Sequence, residues 1–291
     1  MKIIFDQSAF HDHFELLKGS RLSQLTQDGK IIVFHTATFL DETVSMAESA
    51  RRKLKQQWPF LQSVCNGGWF KPLLFGQPPD LKSVCDEELD GGEKDRNWPL
   101  ISASHRSNIE AKLTRFLEES EPLPELINTR PIYDQNEQIK KQNKAVRFKL
   151  RSEHNLPKDV TFAQYHQANF LDAAWLLIDR PHGFGQMHTL AALDRPEAKF
   201  EAWKRDPTKF PHFTAFVGFW IYSLYDAEKN QNSPLDRNWQ GDAELLCFLV
   251  DVDAVVSSDL RFMKQAFKAL WQPSQKIFFT PGEFVAFLSQ L

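Results

Sequence analysis

No apolar run in this chain of 291 residues approaches the ~18 that a membrane-spanning helix needs, so no membrane partner is expected. Cysteine is scarce. Cys65, Cys85 and Cys247 form no C-x-x-C pair and cannot all be bridged, which points to a reduced, cytoplasmic setting. The sequence enters a strand pattern at once and leaves no room for a secretory signal. A basic excess is lacking too: the net charge of −3 leaves nucleic-acid binding to a local basic face, if there is one. His182 and His188 flank Gly183-Phe184-Gly185, but the spacing and strand context of a phosphate loop are missing. His11 and His13 lie two apart at a helix start and share no face, so they make no zinc pair. Internal repeats are absent.

What is present is an ordinary globular composition, 42% apolar and 25% charged, in a length that allows one large domain or two small ones. The 25 phenylalanines read as aromatic core. Residues 2–6 form a short apolar strand pattern, and Phe10, Phe14, Leu17 and Leu25 then recur at helical spacing. Asp28-Gly29 marks a turn before a second strand at 31–34. Thr38 is the expected N-cap of a helix running to about Lys55 that carries Glu42. Residues 56–100 read mostly as loop, and no strand signal of comparable quality occurs between 56 and 240. Helical patterns cover 105–119, 133–155, 161–179, 190–204 and 212–228, the last apolar on nearly every side and therefore interior. Alternation then resumes: helix 241–250, strand 254–257, helix 259–271, strand 276–279, and a final helix opened by Thr280-Pro281-Gly282-Glu283. The expected fold is α/β, with a parallel sheet of four or five strands built from both chain ends. Its core is about 1–55 and 240–291, with a helical insertion at about 56–239.

Four acids fall at meaningful points of this rhythm. Asp6 and Asp259 stand where apolar strands stop, Glu42 lies on the second helix, and Asp242 opens the helix before the late strand. Open α/β sheets build their sites at strand C-terminal ends. Taken singly, each acid is a helix cap, a dipole partner or a solvated residue. Converging, the four would repel one another unless a cation sits between them, and their pKa values would rise. Asp41 points about 100° away from Glu42 on a helix and is left out.

In order, Ile-Ile-Phe-Asp-Gln-Ser-Ala-Phe (3–10), Phe-Leu-Asp-Glu-Thr-Val (39–44), Gly-Asp-Ala-Glu-Leu-Leu (241–246), Val-Val-Ser-Ser-Asp-Leu-Arg-Phe (255–262) and Phe-Phe-Thr-Pro-Gly-Glu-Phe (278–284) resemble the PIN-domain nuclease superfamily. The chain departs from that pattern in having Ser257 in place of the usual Thr, and in the long interval between Glu42 and Asp242. The resemblance implies a PIN-like three-layer fold with a large, mainly helical insertion. It also implies a metal-dependent endonuclease that hydrolyses phosphodiesters, with RNA favoured over DNA as substrate, using Mg²⁺ or Mn²⁺. Asp6, Asp242 and Asp259 would be metal ligands, and Glu42 a ligand or water-orienting base. Ser8 and Ser257 would hold water or a phosphate oxygen. Two other readings stand beside it: a PIN-like module without catalysis that binds RNA or protein, and a haloacid-dehalogenase-type phosphatase. The phosphatase chemistry needs a second Asp where Ser8 stands.

Basic character is local. Arg51, Arg52, Lys53 and Lys55 are expected to close the Glu42 helix, near the negative end of its dipole. Lys140, Lys144, Arg147 and Arg151 repeat at i, i+4, i+7 and i+11, one face of a helix suited to tracking nucleic-acid phosphates. Replacing these four by Ala should weaken nucleic-acid binding and make log affinity less salt-dependent by roughly 0.7 per lost contact on single strands, while metal binding survives. Unchanged affinity and slope would make the row ordinary solvated surface.

Overall fold

In the computed structural model, residues 1–73, 83–91, 98–119, 159–179, 195–229 and 239–291 are described, except for the side chains of 37, 41, 44–51 and 239–240. Five strands, β1 (Lys2–Phe5), β2 (Ile32–His35), β3 (Gly68–Trp69), β4 (Ala254–Val256) and β5 (Ile277–Phe279), form one parallel sheet in the order β3-β2-β1-β4-β5. β1 is central, with Ile3 opposite Val33 on one side and Ala254 on the other. Both chain ends therefore contribute to the same sheet.

The strand residues explain the layering. Ile4 and Val255 point into one apolar cluster, while Ile3, Phe5, Ala254 and Val256 point into another. Alternate side chains face opposite sides of a sheet, so both faces are covered, as parallel sheets require. Ile3, Ile4 and Phe5 are fully buried. Each such side chain contributes about 1.5–3 kcal/mol.

One face carries α1 (Gln7–Asp12), α2 (Phe14–Lys18), α3 (Leu22–Gln27), α4 (Ala37–Val64), α6 (Ala103–Glu119) and α12 (Pro281–Leu288). The other carries α5 (Val84–Asp90), α7 (Phe162–Asp179), α8 (Pro196–Arg205), α9 (Pro211–Lys229), α10 (Trp239–Cys247) and α11 (Met263–Trp271). From β1 the chain moves outward to β2 and β3 through helices on the first face. From β4 it moves the opposite way to β5 through α11 on the second. Crossovers of one hand that travel in opposite directions must lie on opposite faces, which is double winding.

Several elements differ from the sequence expectation. The first helical pattern is three short helices rather than one. The α4 helix runs to Val64, because Leu54, Trp58 and Leu61 continue a buried stripe at i, i+4 and i+7. Arg52, Lys53 and Lys55 are therefore exposed mid-helix residues and do not meet the dipole at its C-terminus. Thr36, two residues earlier than expected, caps α4, its hydroxyl accepting from Phe39 N–H at 3.0 Å. Residues 68–69 form the fifth strand within a region that reads as loop. The expected helix over 133–155 lies outside the described residues. The final helix is as expected, with Thr280 and Glu283 in a capping box and Pro281 in the first turn.

Asn66 joins α4 to this scheme. Its Oδ1 accepts from Val33 N–H at 2.8 Å, and its Nδ2 donates to Thr26 O at 2.8 Å and Ile31 O at 3.0 Å. Asn66→Ala strips three backbone groups of their partner. Urea unfolding should show a loss of about 2 kcal/mol, and a loss near zero would mean that water replaces the amide.

Candidate functional site

The sheet order changes direction between β1 and β4, and the crevice at such a point opens beyond the strand C-terminal ends. Asp6 stands at the end of β1 and continues the ladder, its N–H donating to Val256 O at 2.9 Å. Its side chain caps α1 through Ser8 N–H, 3.3 Å from Oδ1. Oδ2 accepts from the Ser8 hydroxyl at 3.0 Å and the Ser257 hydroxyl at 2.7 Å. Ser257, fully buried, also accepts from Asp259 N–H at 3.0 Å. One hydroxyl thus fixes two acids that lie at opposite ends of the sequence. Asp259 Oδ1 accepts from Arg261 N–H (2.7 Å) and Phe262 N–H (2.9 Å), making the turn that leads into α11.

Glu42, in the second turn of α4, and Asp242, in the first turn of α10, complete the cleft. A buried carboxylate joins these two helices: Glu244 accepts from Thr38 N–H at 3.0 Å and Leu73 N–H at 3.2 Å. Burial raises its pKa, against those hydrogen bonds. Gly241 lets Glu42 approach, since a Cβ there would stand 3.0 Å from Glu42 Oε1. Beneath the cleft His11 bridges α1 to α4, one ring nitrogen 2.5 Å from Gln57 Oε1 and the other 3.0 Å from Thr43 Oγ1. Burial lowers its pKa, so the ring is held neutral.

The resulting cleft, about 260 Å³, is lined by Asp6, Glu42, Asp242 and Asp259 together with Gln7, Ser8, Thr36 and Gly241. The four acids singled out in the sequence therefore share one concavity. Ser8 lines it as well, whereas Ser257 lies behind Asp6 with its hydroxyl already donating and accepting. Lys140, Lys144, Arg147 and Arg151 lie outside the described residues. The electrostatic expectation needs correction for Asp6. Its pKa is raised chiefly by burial, against hydrogen bonds from Ser257 and Ser8, and the charge of Asp259 is the smallest of the contributions.

Carboxylate oxygens are hard donors and match Mg²⁺ or Mn²⁺ rather than a soft metal. Among the described residues no three His, Cys, Asp or Glu side chains stand as a group able to enclose one ion between them. Mg²⁺ does not require that, because it keeps several waters and takes one or two carboxylates directly. The donor set and the cleft thus fit a hydrated divalent ion. The sequence gives no signal for Glu244 as a helix tie, because a buried carboxylate looks like any other acid. Gly241 was a visible one, a glycine at a helix start beside Asp242.

Compared with protein-family models, curated proteins and solved structures, the chain matches none.

Because the folded state favours the acid form of Asp6, its contribution to stability is full below the usual value of 3.8 and is lost as pH rises through the raised value. Asp6→Asn should therefore melt above the wild type at neutral pH, with the gap closing below pH 3.8. A lower melting temperature at neutral pH would contradict this.

Proposed function

We propose that the chain is a PIN-like, metal-dependent endonuclease that hydrolyses phosphodiester bonds with Mg²⁺ or Mn²⁺ in the acidic cleft. What supports this is a single arrangement: four carboxylates from β1, α4, α10 and the end of β4 line one small concavity at the switch point of a parallel sheet. Packing does not require four acids there, and burial disfavours the charged form of Asp6. The preference for RNA over DNA rests on the sequence resemblance alone.

When bound, a divalent ion would supply positive charge at the phosphoryl group and lower the pKa of a water molecule, so that hydroxide is available as the nucleophile. Asp6, Asp242 and Asp259 would hold the ion, directly or through water. Glu42, seated over Gly241, would hold it or orient the attacking water. Ser257 is a positioning residue, since its hydroxyl is committed to Asp6 and Asp259. Ser8 occupies the place where a phosphatase of the haloacid-dehalogenase type needs an Asp, and its hydroxyl donates to Asp6. That disfavours the phosphatase reading.

Labelled single-stranded RNA and DNA incubated with Mn²⁺ test the proposal. Asp6→Asn and Asp259→Asn should each slow cleavage by at least about 100-fold. Gly241→Ala, by displacing Glu42, should slow it about tenfold with little change in melting temperature. Cleavage that survives in Asp6→Asn, or none of either substrate by the wild type, would remove the nuclease. Binding without cleavage would favour the non-catalytic module.

A further inference from the structure

The opposite end of the sheet holds a second concavity, of about 560 Å³. Val250 precedes β4 and Lys276 precedes β5, and both line it, so it lies at strand N-terminal ends, away from the acidic cleft. Its floor is one face of α9, where Pro211, Ala215 and Gly218 recur at i, i+4 and i+7. Gly218 lets α9 pack closely against the Leu270 wall, since a Cβ there would stand 3.2 Å from Leu270 Cδ2. The walls are His166 and Phe170 of α7 on one side, and Leu270 and Trp271 at the end of α11 on the other. Phe170 is firmly seated. Its ring lies 5.2 Å from that of Trp203, which is buried and donates to Thr214 Oγ1 at 3.0 Å.

Polar groups are few, and one carries charge. The Lys276 ammonium donates to Val252 O at 2.8 Å and Val250 O at 3.5 Å, two carbonyls that fix its position without neutralising it. The acids nearest in sequence are engaged elsewhere, Asp251 with the His212 ring at 2.6 Å and Asp253 with Lys2 N–H at 2.7 Å. His166 is held neutral by burial and can exchange one hydrogen bond without adding charge. Volume, apolar walls and few convergent polar groups are the attributes of a small-ligand site.

We infer that this pocket binds a small amphipathic monoanion, an aromatic or compact apolar body bearing one carboxylate, with the body between Phe170 and Trp271 and the carboxylate at Lys276. A cation would face the ammonium, and a polyanion would have to desolvate against apolar walls. The inference is independent of the proposed nuclease activity.

The test titrates 2-naphthoate and neutral 2-naphthamide against the full chain by ligand-observed NMR. The carboxylate should bind at least about tenfold more tightly than the amide. Lys276→Gln, which keeps a donor for Val252 O, should erase that difference. Ala215→Trp should abolish binding of both by filling the floor, and Thr208→Trp at the rim serves if that variant does not fold. Asp6→Asn should change neither affinity. Equal binding of the two probes by the wild type, binding that survives a folded pocket-filling variant, or no binding at millimolar probe would each overturn the inference.

Discussion

The pairing of β1 with β4 is the constraint on which the molecule depends. It places Asp6 beside Ser257, 251 positions along the chain, and without it the acids at 6 and 259 would belong to separate parts. The long interval between them is a small obstacle. Loop closure costs about 0.6 kcal/mol per doubling of length, so extending a connection from roughly 60 residues to 240 adds on the order of 1.2 kcal/mol. Burying one of Ile3, Ile4 or Phe5 offsets that. A sheet with so apolar a central strand can therefore tolerate a large helical elaboration between β3 and β4.

Buried carboxyl groups, placed at helix starts, tie that elaboration to the sheet. Glu244 of α10 holds the first turn of α4, accepting from Thr38 N–H. Glu88 of α5 does the same for α9, accepting from His212 N–H and from Phe213 N–H at 2.7 Å. The His212 ring lies between Glu88 (3.0 Å) and Asp251 (2.6 Å). Burial, the largest single influence, would lower its pKa, but the hydrogen bonds and charges of the two acids together outweigh it and the value is raised. The stability this adds is complete below the usual value of 6.5 and is lost as pH rises through the raised one. Breaking such a buried array leaves charge without a partner, which costs about 3–5 kcal/mol.

Strands β1, β2, β4 and β5 were legible because each is a short, mainly apolar run followed by helical periodicity. The cap of α12 was legible because Thr, Pro and Glu each occupy the position that their chemistry demands. β3 was not: two residues carry no alternation, and only pairing with β2 makes Gly68 and Trp69 a strand. The end of α4 was not legible because the basic run at 51–55 resembles a terminus, while the apolar stripe that continues past it is sparse. Thr36 and Thr38 are both good caps two residues apart, and only the backbone geometry separates them. At the site, the four acids were marked by their places in the strand–helix rhythm. Their environment was not, because burial rather than mutual repulsion dominates at Asp6, and burial depends on the fold.

The central claim, that the four acids jointly hold a divalent ion, is tested most directly by an anomalous difference map from crystals soaked in Mn²⁺. The account predicts one or two peaks in the cleft, with carboxylate oxygens of Asp6 and at least one of Glu42, Asp242 and Asp259 at about 2.0–2.6 Å or one water further away. A cleft without a peak at saturating Mn²⁺, or a peak held only by acids outside it, would contradict the account.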